Sequence, residues 1–137
     1  MSLTISLTLS DLQKLVPDAV EHLYDFSYLG THPLAGLRVV GTMAVRNHTP
    51  ATHVDRGRAL SKTLQVAIDE LLPTGEPANV GRESRFFTLL YQAYREGKEN
   101  REIALALCIS ERTFYRERLR ALHSLAQILW DMETAAV

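Results

Sequence analysis

The sequence predicts an all-α protein that ends in a long last helix. Three observations predict it. Apolar residues recur at helical spacing in separate segments along the chain. Proline and glycine clusters fall between those segments rather than inside them. The one run with strand-like composition, Val40–Val45, has no second strand to pair with. With 137 residues, 46% hydrophobic and 23% charged, the chain can bury the core of one domain or of two very small ones.

The first helix is expected to begin at Ser10 as N-cap, with Asp11 in its first turn. Leu12, Leu15, Val16, Ala19, Val20 and Leu23 then recur at helical spacing. Pro17 either kinks this helix or starts a second one, because proline suits a first turn and not an interior. The stretch DFSYLGTHPLAGLRVVG predicts a turn at Gly30 and a short apolar helix from near Pro33. Residues 42–53 carry little periodicity and are assigned to a loop. A helix follows from Val54 to Leu72, with Leu60, Leu64, Ala67, Ile68 and Leu71 on one face. PTGEPANVG, residues 73–81, is a turn-rich linker. It divides the chain into an N-terminal helical region, 1–72, for bracing or dimerisation, and a C-terminal region, 82–137. In the latter, a helix over Arg82–Glu96 stops at Gly97. Two helices occupy NREIALALCISERTFYRERLRAL, residues 100–122. The second continues to about Glu133, roughly 23 residues against a typical 11 or 12.

Net charge is −1, so a general nucleic-acid coat is excluded and any contact with a polyanion must be local. The charge is uneven. Residues 1–81 hold 6 Lys/Arg against 8 Asp/Glu, whereas residues 82–123 hold 9 against 6. The single cysteine, Cys108, rules out an internal disulfide and fits a reducing cytoplasm. No apolar run approaches the ~18 residues of a membrane helix. The first residues show neither the basic nor the apolar region of a signal peptide. The ending TAAV would suit a piece of a longer protein.

A DNA-reading helix-turn-helix needs a bracing helix, a short rigid turn, and a second helix with polar and basic side chains in its N-terminal half. Ile103, Ala104 and Leu107 supply the apolar face of a first helix, and Ile109 an apolar plug in the turn. Ser110 is placed to cap the second helix. On a wheel of 100° per residue, Phe114, Leu122, Leu125, Leu129 and Met132 share one face. Arg112, Arg116, Arg120 and His123 share another. Like charges one turn apart repel by a few tenths of a kcal/mol, so a stripe of three arginines points to an external anion such as phosphate. Arginine also reads guanine edges bidentately. The plainer alternative is a solvated helix face, aided by Glu117. Arg118 falls inside the apolar arc, and Leu119 and Trp130 widen that arc. The rear of the helix is therefore expected to be buried on two sides, against residues 1–72 or against a second copy.

Glu102, Ile103, Ala104, Leu107, Ile109, Ser110 and Thr113 match E-I-A-x-x-L-x-I-S-x-x-T followed by an aliphatic or aromatic residue. In this the stretch resembles the helix-turn-helix of sigma-factor region 4 and of LuxR-type regulators. It also resembles the ArpU-like phage late-control regulators, through TFYR at 113–116 and the AL and LA pairs that follow. The resemblance spans about residues 82–130 and says nothing of residues 1–81. It implies a bacterial or phage transcription regulator that binds double-stranded DNA, with a homodimer or RNA polymerase as further partners. It implies contacts from Glu111, Arg112, Thr113, Tyr115 and Arg116, beside the Ser110 cap and Arg120 of the stripe.

Other chemistry finds little support. His48 and His53 lie near Asp55, with His32 not far along the chain, but neither H-x-x-x-H nor a cysteine pair accompanies them. His22 has Asp18 and Asp25 for neighbours, which points to a salt bridge or solvation. Asp69 and Glu70 face different sides of a helix, so they are no acid–base pair. Cys108 is expected to be a small buried packing residue, and Tyr24, Phe26, Tyr28 and Leu29 an aromatic packing cluster. No catalytic residue, metal or cofactor is assigned, and the chain is read as non-enzymatic. The alternative to a DNA-binding regulator is a protein-interaction or adaptor domain of a larger signalling protein.

Overall fold

A computed structural model of the chain describes residues 7–46, 52–71 and 82–136. Helix α1, Leu9–Glu21, turns Leu12, Val16, Ala19 and Val20 inward. Its cap is Thr8, not Ser10. The Thr8 hydroxyl accepts from the Asp11 amide at 3.2 Å, and the Asp11 carboxylate accepts from the Thr8 amide at 2.9 Å. This reciprocal pair closes two free amides, where Ser10 could have closed one. Pro17 lies inside a single helix.

Asp25 caps the short α2, Phe26–Gly30, and a 3-10 turn follows at Pro33–Gly36. The chain then forms α3, Arg38–Arg46, where a loop was expected from residue 42. The reason lies far along the sequence. The carboxylate of Glu133 accepts from the amides of Arg38 and Val39 at 3.1 and 2.9 Å, which supplies the cap that the local sequence lacks.

Helix α4, His53–Asp69, starts at Thr52, whose hydroxyl accepts from the Asp55 amide. It crosses α2 at backbone contact. A Cβ on Gly57 would stand 1.8 Å from the Phe26 carbonyl oxygen, and one on Gly30 would stand 1.8 Å from that of His53. The linker expected at 73–81 lies outside the described residues. Helix α5, Arg82–Leu90, runs into a π-helical turn at Tyr91–Arg95 and ends at Gly97, whose φ of +69° is the left-handed stop expected there.

Helix α6 spans Asn100–Ala106, and α7 spans Glu111–Ala135, 25 residues long. Helices α1, α3, α4, α5 and α6 all contact α7. One cluster of buried side chains extends from Leu12 through Leu64, Leu90 and Phe114 to Leu129. The architecture is all-α, and no strand occurs among the described residues.

Candidate nucleic-acid interface

Helix α6 is held by Ile103 and Ala104, both buried. Its C-terminus closes with two reversed hydrogen bonds, from the Ile109 amide to the Ala104 carbonyl at 3.0 Å and from the Cys108 amide to Leu105 at 3.1 Å. This is the Schellman arrangement, and it puts Cys108 at φ +58°. Cys108 is exposed, not buried as expected, because a left-handed C′ residue points its side chain away from the packed face. Ile109 packs against the core as the plug between the helices.

Ser110 caps α7 as expected. Its hydroxyl accepts from the Thr113 amide at 3.1 Å and donates to the Thr113 hydroxyl at 3.0 Å. Thr113 is thereby a half-buried partner of the cap. Phe114 is fully buried and anchors the first turns, and Ala121, Leu125, Ala126 and Leu129 continue the inner face.

On the outer face, Glu111, Arg112, Tyr115, Arg116 and Arg120 are exposed, as is His123. Tyr115 keeps 47% of its surface. Among the described residues, none of Arg112, Arg116 and Arg120 is paired with a carboxylate, whereas Arg101 stands 3.6 Å from Glu111 and Arg85 stands 3.8 Å from Glu117. Arg118 folds its guanidinium over the rings of Phe114 and Tyr115, 5.8 and 5.1 Å from their centroids. Arg118 is half-buried and stands nearer the exposed Tyr115 ring than the buried Phe114 ring, with no carboxylate partner among the described residues.

Two assignments on α7 are corrected. Glu117 is buried between α7 and α5 and does not solubilise the stripe. One of its oxygens faces Arg85, and the other has no hydrogen-bond partner among the described residues. Leu119 is 55% exposed, on the arginine face and not behind it. At 100° per residue Leu119 stands about 20° from Arg112 and about 160° from the inward-facing Glu117 and Ala121. Leu105 of α6, 72% exposed, is the other exposed leucine among the described residues, and sequence reasoning left it unmarked. Arg120 and His123 also edge an open groove of about 760 Å³ between α4, α5 and α7, floored by Leu71, Phe86 and Ile128.

A second constellation joins α1 to the corner after α2. The Tyr28 hydroxyl donates to Asp18 Oδ2 at 2.6 Å, and His32 Nε2 stands 3.2 Å from the same oxygen. His32 Nδ1 accepts from the Leu34 amide at 3.2 Å, so Nε2 carries the proton. His22 stacks on Tyr28 at 3.9 Å and lies 4.0 Å from Asp18. Burial pushes His32 below the usual imidazole range, against the pull of Asp18. The Tyr28 hydrogen bond pushes Asp18 down, and that same bond pushes Tyr28 up. The sequence pointed to the His22–Asp18 pairing but gave no signal that Tyr28 and His32, the latter 14 residues from Asp18, join it. Among the described residues, no set of three or more His, Cys, Asp or Glu side chains is placed to hold a metal ion. No helix among them is long and apolar enough to cross a membrane.

The fold and this face define the class no further than an all-α protein with an arginine-striped, solvent-facing helix. No protein-family model matches the chain, and neither a curated protein nor a solved structure matches it.

Proposed function

We infer that the chain is a sequence-specific DNA-binding transcription regulator in which α6, the turn and α7 act as a helix-turn-helix. The N-terminal half of α7 enters the major groove. The observation that carries this reading is the stripe of Arg112, Arg116 and Arg120, exposed and without a carboxylate partner among the described residues. The helix bearing it is clamped from behind by Phe114 and Leu125. Three cations in a row on a rigid support gain from a polyanion what they lose to one another in water. Arg112 and Arg116 hold guanine edges or phosphates, Arg120 holds phosphate, and Tyr115 lies against the groove wall. Ser110 and Thr113 set the start of the helix. A second copy of the chain or RNA polymerase is the further partner of such a regulator, the cytoplasm its place, and the role needs no catalysis.

The test is anisotropy titration of duplexes selected from random sequence. Each phosphate contact contributes about 0.9 to the slope of log affinity against log salt. Arg116→Ala with Arg120→Ala should lower the affinity and flatten that slope by about two. An unchanged affinity in the double variant would remove the stripe from the contact.

A second reading, a protein-interaction or adaptor domain, is favoured by one observation, the exposed Leu105 on α6. It predicts that Leu105→Asp alters the oligomeric state or partner capture and leaves duplex affinity untouched.

A further inference from the structure

We propose that Leu119 reads a thymine methyl group, with Tyr115 beside it, so that the preferred duplex carries a thymine about one base step beyond the base beside Arg116. The proposal rests on the DNA-binding reading above and adds a specificity-determining residue to it. Among the described residues, the large hydrophobic side chains left exposed are Tyr24, Tyr28, Leu105, Tyr115 and Leu119. Tyr24 and Tyr28 are accounted for within the fold, because their hydroxyls donate to the Arg95 carbonyl and to Asp18. Leu105 stands on the other helix. Tyr115 and Leu119 remain. They lie one turn apart on α7, and Leu119 is four residues after Tyr115, three after Arg116 and seven after Arg112. It therefore lies within the arginine face.

Leucine gains by leaving water, but a leucine ringed by unpaired cations suits few partners. An apolar pocket on another protein would need carboxylates on every side. The major groove offers the required pattern ready-made: phosphates along both rims, guanine acceptors on its floor, and one apolar group, the C5 methyl of thymine. The spacing agrees. Seven residues of helix rise about 10 Å, and base pairs are stacked about 3.4 Å apart along the duplex. Leu119 thus meets a base about three steps from the one beside Arg112. Glu111, the acid at the start of this face, lies within 3.6 Å of Arg101.

The experiment replaces thymines one at a time by deoxyuridine, which removes the methyl and leaves every hydrogen-bonding edge intact. The full chain is first used to select its duplex from random sequence. Wild type should then bind about threefold to fivefold more weakly when one particular thymine becomes uracil, the effect of one buried methyl. Leu119→Ala should bind both duplexes alike, at the weaker level. Arg116→Ala should weaken both and keep their ratio. Leu119 is solvent-facing, so Leu119→Ala should melt as wild type does. If every thymine is replaceable without effect, or if Leu119→Ala keeps the wild-type ratio, the proposal is overturned while DNA binding stands. If Leu119→Ala changes only the oligomeric state, the residue belongs to a contact between copies and the proposal is overturned in that direction. If wild type binds no duplex at any salt, the DNA-binding reading itself fails and takes the proposal with it.

Discussion

His32 is a buried side chain with both ring nitrogens in use, and its position makes the stability of the protein depend on pH. Nδ1 accepts from the Leu34 amide, and Nε2 donates to Asp18. A proton added at Nδ1 meets that amide head-on. Burial accordingly holds the folded value below the ordinary 6.5. In the unfolded chain the ring titrates near its ordinary value. Just below pH 6.5 the unfolded state therefore binds more protons than the native one, and stability rises with pH there. The contribution is present above 6.5 and is lost as the pH falls through the interval below it. The lowered Asp18 acts only in the acid range under 3.8, outside this window. Melting should therefore occur a few degrees lower at about pH 5.5 than at about pH 7.5. His32→Gln should lose most of that difference, and an equal drop in the variant would acquit His32. None of this was legible in the sequence, where His32 stood only beside other histidines. Side-chain identity told which residues of α7 were apolar, but not that Leu119 faces water and Glu117 does not. Backbone conformation was partly legible. Gly97 announced its left-handed stop, whereas Cys108 occupies the same conformation at a cost of roughly 1–2 kcal/mol relative to glycine.

Among the elements, the crossing of α2 and α4 is the most exacting. It brings backbone against backbone at Gly30 and Gly57, so no side chain is available to yield. Alanine at position 57 would put its Cβ 1.8 Å from the Phe26 carbonyl oxygen and 2.7 Å from the Gly30 nitrogen. Helix α2 would have to lift away from α4. Gly57→Ala should cost about 3 kcal/mol, the upper range of overpacking, despite the gain of up to about 1 kcal/mol in helix propensity. Gly41 is the control, because it lies in α3 with no atom within 4 Å of a Cβ. Gly41→Ala should be neutral or gain up to about 1 kcal/mol. Urea midpoints measure both, and a Gly57→Ala no less stable than Gly41→Ala would show that the helices do not cross this closely. The existence of α1, α4, α5, α6 and α7 was legible because each carries its own apolar period. Helix α3 was legible only in its first residues, as part of the short helix expected from near Pro33, because its cap is a glutamate 94 residues away from Val39. A local reading of residues 42–46 sees poor periodicity and assigns loop.

At the scale of the molecule, the question is what the N-terminal helices contribute to the arginine face. The inner surface of α7 is covered by α1, α3, α4 and α5. The two stretches are also tied by polar contacts that burial alone does not require. Glu133 closes the start of α3, Arg95 pairs with Asp69 at 2.8 Å, and the Tyr24 hydroxyl donates to the Arg95 carbonyl at 3.3 Å. An amphipathic helix of this kind derives most of its stability from packing, since isolated helices are marginal in water. Residues 82–137 alone would expose Leu122, Leu125, Ala126 and Leu129 along one side of α7. The full chain should therefore melt in one cooperative transition followed by far-ultraviolet circular dichroism. The 82–137 fragment should lose about half of its helical signal or more at the same temperature. The stripe would lose its support in the same step, because the spacing of Arg112, Arg116 and Arg120 depends on α7 staying helical. A fragment that keeps its full helicity, and any duplex affinity of the whole chain, would show that the N-terminal helices serve some purpose other than bracing. A fragment that unfolds, and recovers helicity when residues 1–72 are supplied in trans, would locate the brace in the packing of α1, α3 and α4 on α7.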